Sequence, residues 1–597
     1  MFSKHPGPLD KLQPILIPMF ENFKSGSAHI RSDKRLLTTL AFAFIGSQAC
    51  ITQAAEVDAG SLQQQIERNQ PLKLPQIAAP LPAQRPLVDQ PGSGRLVTLK
   101  EFRFEGSTKL SNQELHAVVA KYLGKSLSFS QLEAAVIDVS KAYREAGWVV
   151  KAFLPEQDIV DGIVRIQIVE AVFGEVLVNS PLPGAASPET LKRIVGAQQD
   201  SGALLSAKSM DRALLIADDI SGAFISGSLQ EGQKDGQTDL LLKLQGKPAL
   251  QGALTLDNTG SVSTGNVRLL GYVNVNNLFF SGDTVSTQVL ATEGSEYIRL
   301  SNSVPVGYEG LRLGINVSKL NYKILQLEAD LAATGTSETL GLESTYPIVR
   351  SRLQNLYVNV GVDAKKFKNI GGGEVTTEYK NELVTMGLSG NLLDTLGGGG
   401  ANSANLTLTL GNLNLDGSPN AEEVASTTQA GGPYRKLRYA FSRQQTLNRA
   451  LSFFASLSGQ WAEKNLDSSE KFYLGGSSGL RAYPSSEGGG ALGSLVSLEL
   501  RWQAAPSSSW VGFYDIGKVT VNRYNNFSGA SDLNDFMLKG AGIAFNWQVN
   551  NKLAIKTIWA QRIGINPNAN IEADKLGKDQ DGTLIKDRFW VSSNFDF

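Results

Sequence analysis

The C-terminal part of the chain alternates apolar and polar residues over a long distance, and this alternation restricts the fold more than any other feature of the sequence. Residues 248–597 divide into roughly 16 blocks of about ten residues, separated by glycine, asparagine and serine. In the block 451–461, for example, Leu451, Phe453 and Leu457 alternate with polar residues. A period of two residues is that of a β-strand with one apolar and one polar face. We therefore predict an all-β region.

Strands of this kind fit a transmembrane barrel, because its outer face meets hydrocarbon and its lumen meets water. The connections support this arrangement, since short links such as 447–450 alternate with long ones such as 416–433, 462–493 and 566–586. No apolar run reaches the roughly 18 residues that a spanning helix needs. We predict a 16-stranded antiparallel barrel over 248–597, an even number as in bacterial barrels. A soluble β-sandwich, which also alternates, is the alternative.

The first 55 residues have the layout of a secretory signal peptide. Arg31, Lys34 and Arg35 precede an apolar stretch at 36–45, and small residues follow that stretch. We therefore assign 1–55 to a signal peptide. Cys50 is interpreted as part of it rather than as a lipid-anchored cysteine, because the residues before it fit the lipoprotein motif poorly.

Composition excludes several classes of function. The chain has one cysteine, three histidines and a formal net charge of -1. Without the leader only His116 remains of the cysteines and histidines, so a catalytic triad or a multi-histidine metal site lacks its residues. The G-x-S-x-G sequence at 475–479 lies in a long loop, and Val519 replaces the Ser or Thr that a phosphate-binding loop needs. We predict a protein that is not an enzyme and that binds no metal, cofactor, nucleotide or nucleic acid.

Between the leader and the barrel, the sequence predicts two copies of a small α+β module. Residues 96–171 and 172–247 each read as strand, helix, helix, strand, strand, which indicates an internal repeat. In the first copy, Ser111 and Glu114 form a capping box for one helix, and Ser130 opens the next.

The segment that precedes these modules is a helix and a tether. Residues 56–76 predict one short helix with glutamines and charged residues around a single apolar pair, Leu62 and Ile66. Residues 77–95 are rich in proline and form an extended linker. A helix that is polar on nearly every side suits water, so we predict that 56–76 plugs the barrel pore.

The barrel sequence also contains one candidate ion pair in its lumen. Strand parity places Phe513, Asp515 and Gly517 on the same face, which is inward if Tyr514 faces lipid. A lone inward carboxylate attracts a cation, and Arg481 in the loop 462–493 could supply one by folding inward. The alternative, a solvated arginine on the loop surface, is equally compatible with the composition.

With these residues in view, the chain resembles the two-partner secretion transporters of the haemolysin and haemagglutinin exporter type. The resemblance covers nearly everything after residue 55. Its motifs lie in the first module, in the first barrel hairpin, and in the loop 462–493 and the strand that contains Asp515: 142–148 with 153–159 and Gly162; 257–260 with 277–283; 480–483 with 513–515. The L-R-A-Y sequence at 480–483 corresponds to the family's V-R-G-Y loop tip, with Ala482 in place of the usual glycine.

The resemblance implies the architecture and the function. The modules 96–171 and 172–247 would be periplasmic polypeptide-transport-associated (POTRA) domains, ahead of a 16-stranded barrel in the outer membrane of a Gram-negative bacterium. The barrel would conduct a large unfolded client with an N-terminal secretion domain, bound within 96–247, and its lipid would be that of the outer membrane. A lumenal latch would comprise Arg481, Asp515, Tyr483, Phe513 and Gly517.

Two alternatives remain beside this reading of the function. A barrel-assembly insertase of the same superfamily would carry more than two POTRA domains. A passive porin would have no reason to carry two α/β modules ahead of its barrel.

Overall fold

A computed structural model describes residues 57–68, 96–179, 182, 184–219, 223–234, 236–325, 332–570, 576–583 and 585–597. The predicted signal peptide 1–55 and the whole of the linker 77–95 lie outside these residues. Of the predicted plug 56–76, the structure describes 57–68, where a helix, α1, spans Ala59–Arg68. No helix in the described ranges is long and apolar enough to cross a membrane.

Two small α/β modules follow α1, and both contain a three-stranded sheet covered by two helices. The elements of the first module are β1 (Val97–Thr98), β2 (Glu101–Glu105), α2 (Asn112–Val119), β3 (Ser126–Leu127), α3 (Phe129–Glu145), β4 (Val150–Phe153) and β5 (Ile163–Glu170). Those of the second module are β6 (Val172–Asn179), α4 (Pro188–Gly196), α5 (Ala207–Asp219), β7 (Ala223–Glu231) and β8 (Gln237–Gly246). The sheet orders β2-β5-β4 and β6-β8-β7 are equivalent, as the predicted repeat requires.

The start of α3 differs from the sequence-based expectation. Ser128, two residues before the predicted Ser130, caps this helix: its hydroxyl accepts the backbone N–H of Gln131, and the Gln131 side chain accepts the N–H of Ser128 at 2.8 Å. Both serines precede the apolar face, so a prediction from sequence has two equivalent caps to choose from. Gln131 completes the capping box at Ser128 in the structure, although Glu133 gives Ser130 the same spacing in the sequence.

A closed barrel forms the rest of the described chain, and it confirms the predicted sixteen antiparallel strands. Its strands are β9 (Leu250–Asp257), β10 (Arg268–Asn276), β11 (Thr284–Ala291), β12 (Ser295–Val306), β13 (Leu311–Lys323), β14 (Ala333–Arg350), β15 (Gln354–Gly371), β16 (Glu374–Asp394), β17 (Gly400–Asn414), β18 (Gly432–Thr446), β19 (Leu451–Ala462), β22 (Leu492–Ala505), β23 (Ser508–Thr520), β24 (Asp535–Gln548), β25 (Leu553–Arg562) and β26 (Asp587–Asp596). A two-stranded pair, β20 (Phe472–Tyr473) and β21 (Gly489–Gly490), lies in the loop between β19 and β22.

One short helix interrupts the region in which no helix was predicted. Residues Ala421–Ser426 form α6 in the long connection between β17 and β18. A helix of 6 residues spans less than two turns. It therefore shows too little of the 3.6-residue period to be seen in a sequence.

The two faces of the wall follow the predicted alternation. On β13, the side chains of Ile315 and Val317 are exposed on the outside, whereas Asn316 and Ser318 face the lumen and are buried. The same alternation places Leu340 outside and Thr339 inside on β14. An apolar outer face and a polar inner face are what a barrel in lipid requires.

The wall is much taller on one side than on the other. Strands β14 and β15 have 18 residues each and β16 has 21, whereas β9 has 8. The connections on the side of the modules are short, so the extra length lies on the far side. There the outward residues are charged and pair across strands, as in Lys319–Glu338 at 2.9 Å and Lys368–Glu378 at 3.2 Å.

The second module contacts the barrel through α5, which lies against the β12–β13 and β14–β15 turns of the barrel. Arg350 pairs with Asp219 through two bonds of 2.8 Å, and Arg352 pairs with Asp211 at 2.7 Å. Arg212 donates to the carbonyl of Pro347 at 2.9 Å. These charged contacts attach the module to the β14–β15 turn and define which end of the barrel the modules face.

Candidate functional site in the barrel lumen

The loop between β19 and β22, residues 463–491, folds into the barrel, and we call it the inward loop. Leu474, Leu480 and Tyr483 in this loop are completely buried. They pack against inward-facing apolar side chains of the wall, including Val519 and Trp590. The loop therefore occupies part of the lumen rather than the outer surface.

Arg481 at the tip of the inward loop contacts Asp515 on β23, as the sequence predicts. Its guanidinium donates to both carboxylate oxygens, at 2.8 Å from Nε and 2.7 Å from Nη2. Asp515 also accepts the Arg481 backbone N–H at 3.2 Å and the Ser497 hydroxyl at 2.7 Å. Asp515 is completely buried. This bidentate geometry fixes the orientation of the arginine as well as its position.

A second carboxylate, which the sequence analysis missed, completes the charge cluster. Glu499 on β22 contacts Nη1 of Arg481 at 2.7 Å and is also paired with Arg501 at 2.7 Å. Strand parity alone puts Glu499 on the inner face. Its place beside Asp515 depends on the register between β22 and β23, in which Ser497 lies opposite Asp515. That register is a tertiary property that one sequence does not give.

The other predicted latch residues surround Arg481 or shape its loop. The guanidinium lies 3.5 Å from the centroid of the Phe513 ring. Tyr483 stacks under the guanidinium of Arg562, 4.5 Å from its ring centroid. At Gly517, a Cβ atom would lie 2.5 Å from a methyl group of Leu474, so the absence of a side chain lets the inward loop approach the wall.

The alanine at position 482 is accommodated by a glycine on β24, the strand beside the one that carries Asp515. Ala482 is completely buried. At Gly540 on β24, a Cβ atom would lie 2.6 Å from the methyl group of Ala482. The missing side chain at Gly540 therefore provides the space that the extra methyl group occupies.

The beginning of the inward loop has its own buried anchor, which the sequence analysis also missed. Glu470 and Lys436 of β18 form an ion pair in which both side chains are nearly completely buried. Asn381 donates to the Glu470 carboxylate at 3.0 Å, and Gln460 donates to its carbonyl at 3.0 Å. Parity identifies Lys436 as inward-facing, but nothing in the loop sequence marks Glu470 as its partner.

Helix α1 lies inside the barrel and contacts both the wall and the inward loop. Gln63 donates to Thr339 at 2.8 Å, and Glu67 pairs with Lys365 at 2.9 Å. On its other side, Gln64 donates to the carbonyl of Lys471 at 2.9 Å. Polar side chains that would be exposed on an ordinary surface helix are thus buried and paired here.

A close approach at the first turn of α1 fixes its position. A Cβ atom at Gly60 would lie 2.8 Å from the Cβ of Ser469 and 2.9 Å from the hydroxyl of Tyr379. At the other end of the helix, Arg68 donates to the carbonyl of Gly475 at 2.8 Å. The helix and the inward loop therefore pack as one body in the lumen.

The final limb of the inward loop is attached to the loop between β25 and β26. The carboxylate of Glu487 accepts the Gln580 backbone N–H at 3.0 Å and the side-chain amides of Asn568 at 3.0 Å and Asn566 at 3.2 Å. Burial, with a smaller contribution from Asp579, raises the pKa of Glu487 to about 7. Within the described ranges, no group of three or more His, Cys, Asp or Glu side chains could hold a metal ion.

The chain matches the sequence profile of the haemolysin secretion/activation proteins ShlB/FhaC/HecB over residues 236–545. It belongs to this family. Residues 97–171 match the ShlB-type POTRA domain. The ShlB/FhaC/HecB proteins are outer-membrane transporters, so this chain lies in the outer membrane, with its modules in the periplasm, and translocates a secreted partner protein.

Individual relatives agree with this ShlB/FhaC/HecB assignment. The chain is 25% identical over 533 residues to the heme/hemopexin transporter protein HuxB of Haemophilus influenzae, covering 87% of this chain and 93% of HuxB. It is 25% identical over 435 residues to the outer membrane transporter CdiB of Dickeya dadantii, covering 72% and 75% of the two chains. The structure of CdiB from Escherichia coli has the same fold, with a TM-score of 0.63, 18% identity and coverage of 90% and 98%.

We expect that loss of either partner of the Arg481–Asp515 pair prevents secretion without preventing barrel formation. Arg481→Ala leaves Asp515 buried without a counter-charge, which costs about 3–5 kcal/mol. Asp515→Ala leaves Arg481 with Glu499 as its remaining ion-pair partner. Secretion of the cognate partner should fall at least about tenfold. Heat-modifiable migration on gels should be retained, and Arg523→Ala, in an exposed outer loop, serves as the control. Normal secretion by both variants would contradict a latch.

The attachment of Glu487 should depend on pH. Because folding raises its pKa from 4.5 to about 7, the folded state holds the proton more tightly, so the attachment is strongest below 4.5 and weakens as the pH rises toward 7. Proteolytic cleavage within 566–583 should therefore be slower at about pH 5 than at about pH 8, after correction for protease activity. Glu487→Gln should remove this difference. An equal pH dependence in the variant would show that another group is responsible.

Proposed function

We propose that the barrel conducts the secreted partner as an unfolded chain after α1 has moved out of its path, while the Arg481–Asp515 pair holds the inward loop in its conducting conformation, with no catalytic or nucleotide-driven step. The observation that carries this proposal is the joint occupation of the lumen by α1 and the inward loop. Helix α1 is part of no barrel strand and precedes the predicted proline-rich linker 77–95, so it can leave the lumen without any change in the barrel wall.

The contacts of α1 are suited to reversible binding. Only Leu62 and Ile66 contribute large apolar side chains to the helix interface. The remaining contacts are hydrogen bonds and the Glu67–Lys365 ion pair. A hydrogen bond contributes a net of about 0.5–1.5 kcal/mol because water replaces it. A helix held in this way can be displaced into a water-filled periplasm at a modest cost.

The periplasmic modules supply a binding surface for an extended client. In the second module, β7 pairs with β8 and forms an edge of the sheet. Phe224 and Leu229 on this strand are exposed. An extended peptide can add to such an edge through backbone hydrogen bonds, with apolar side chains giving selectivity. We propose that the N-terminal secretion domain of the client binds within 96–247, and that client folding outside the cell prevents its return.

Removal or displacement of α1 should open the pore. Deletion of 56–76 should raise the single-channel conductance of the protein in planar bilayers. Gly60→Val should have the same effect without a deletion, because its side chain would collide with Ser469 and Tyr379. Gly196→Val is the matched control, since a side chain there meets open space in the second module. Unchanged conductance in both test variants would show that α1 does not plug the pore.

Client binding can be measured apart from transport. The fragment 96–247 should bind an unfolded N-terminal fragment of the cognate partner in calorimetry, and Leu229→Lys should weaken the binding because a charge on an edge strand opposes strand addition. If the fragment shows no affinity while the full-length protein still secretes the partner, the client binds elsewhere.

A further inference from the structure

Two periplasmic turns of the barrel are built in the same way. Residues 447–450 connect β18 to β19, and residues 549–552 connect β24 to β25. In the first, the Asn448 side chain accepts the backbone N–H groups of Ala450 at 2.9 Å and Leu451 at 3.0 Å. In the second, the Asn550 side chain accepts the backbone N–H groups of Lys552 at 2.8 Å and Leu553 at 3.0 Å, two and three residues further along the chain as in the first turn. Each asparagine therefore fixes its turn in one conformation.

Each turn presents one apolar and one basic side chain to the outside. Leu447 and Val549, which precede the asparagines, are exposed. Arg449 and Lys552 are also exposed, and in the part of the chain that the structure describes neither forms an ion pair. The turns thus combine a fixed backbone with a basic side chain that is in no ion pair and lies beside an apolar group.

Other arginines at this rim are already neutralised. Arg352 is paired with Asp211 of the second module at 2.7 Å, and Arg443 is paired with Asp394 at 2.6 Å. The contrast distinguishes Arg449 and Lys552 from the charges that hold the protein itself together. Their positive charge is available to a partner outside the chain.

A belt of tryptophans shows where these turns lie relative to the membrane. Trp502, Trp510 and Trp547 are at the periplasmic ends of β22, β23 and β24, and all three are exposed. Parity with the inward-facing Asp515 places Trp510 on the outer face, and Trp502 lies opposite it in the register. Indole side chains on the outside of a barrel lie at the boundary between hydrocarbon and head groups.

The turns flank this belt directly. Leu451, the residue after the first turn, lies opposite Trp502 on the neighbouring strand. Ile555, near the beginning of β25, lies opposite Trp547. Because the tryptophans mark the edge of the hydrocarbon, the turns beyond them lie at the depth of the phosphate groups of the periplasmic leaflet.

We propose that the turns 447–450 and 549–552 are two binding sites for anionic phospholipids of the periplasmic leaflet. In each site the basic side chain, Arg449 or Lys552, binds the phosphate, and the apolar side chain, Leu447 or Val549, contacts the upper part of the acyl chains. The β22–β23 turn separates the sites, so each takes its own lipid. The proposal depends on the position of the barrel in the membrane and is independent of α1, the inward loop and client binding.

The experiment uses the full-length protein in detergent, titrated with phosphatidylglycerol or phosphatidylcholine, with bound lipids counted by native mass spectrometry. The wild type should bind two molecules of phosphatidylglycerol more tightly than phosphatidylcholine. A basic group near a lipid surface contributes about 1 kcal/mol, or about fivefold in affinity. Arg449→Gln and Lys552→Gln should each weaken one site by about fivefold, and the double variant should lose the preference for phosphatidylglycerol.

Controls separate the sites from general charge effects and from misfolding. Arg523→Gln removes an exposed arginine from the loop between β23 and β24 on the other side of the membrane and should leave lipid binding unchanged. Arg449→Lys should retain binding at the first site. Heat-modifiable migration on gels checks that each barrel is folded. If the double variant does not fold, the fivefold loss at one site in each single variant tests the proposal. Wild-type affinity in the Gln variants, or equal affinity of the wild type for both lipids, would overturn the proposal.

Discussion

Every backbone N–H and C=O group in the hydrocarbon must find a partner within the protein, and the structure follows from that requirement. Sixteen strands satisfy it by closing on themselves, with β26 paired to β9. Closure gives each strand one face in lipid and one in a lumen. The lumen of a barrel this wide would be filled by water, so polar and charged side chains can line it at little cost. A polar helix and an arginine-bearing loop can therefore be placed inside a membrane protein.

The charge cluster around Arg481 is better understood as a positioning device than as a source of stability. Arg481 and Arg501 face Asp515 and Glu499, so the four charges balance. Burying such groups costs about as much free energy as their attraction returns. The bidentate geometry and the ring of Phe513 instead define one orientation for the loop tip. Loss of one member is costly because the others remain buried.

The properties that could be predicted from the sequence are those that depend on local period. The alternation gave the barrel, and parity together with an inward-folding loop gave the contact between Arg481 and Asp515. Glu499 and Glu470 were missed because their partners are set by cross-strand register and by the path of a loop, which no local pattern encodes. Similarly, α6 is too short to show its period. The helix cap at Ser128 required a choice between two serines that the sequence offers equally.

The unequal height of the wall gives the pore a slanted mouth. Strand β9 has 8 residues and β16 has 21. At about 3.4 Å per residue, β16 is therefore roughly 40 Å longer than β9, measured along the strand. The outward charges of the tall side, such as Lys368 and Glu378, indicate that this part stands in water beyond the bilayer. The far opening of the lumen therefore slants toward the β9–β26 side, where the wall is lowest, and the tall sheet around β16 faces that side from across the lumen.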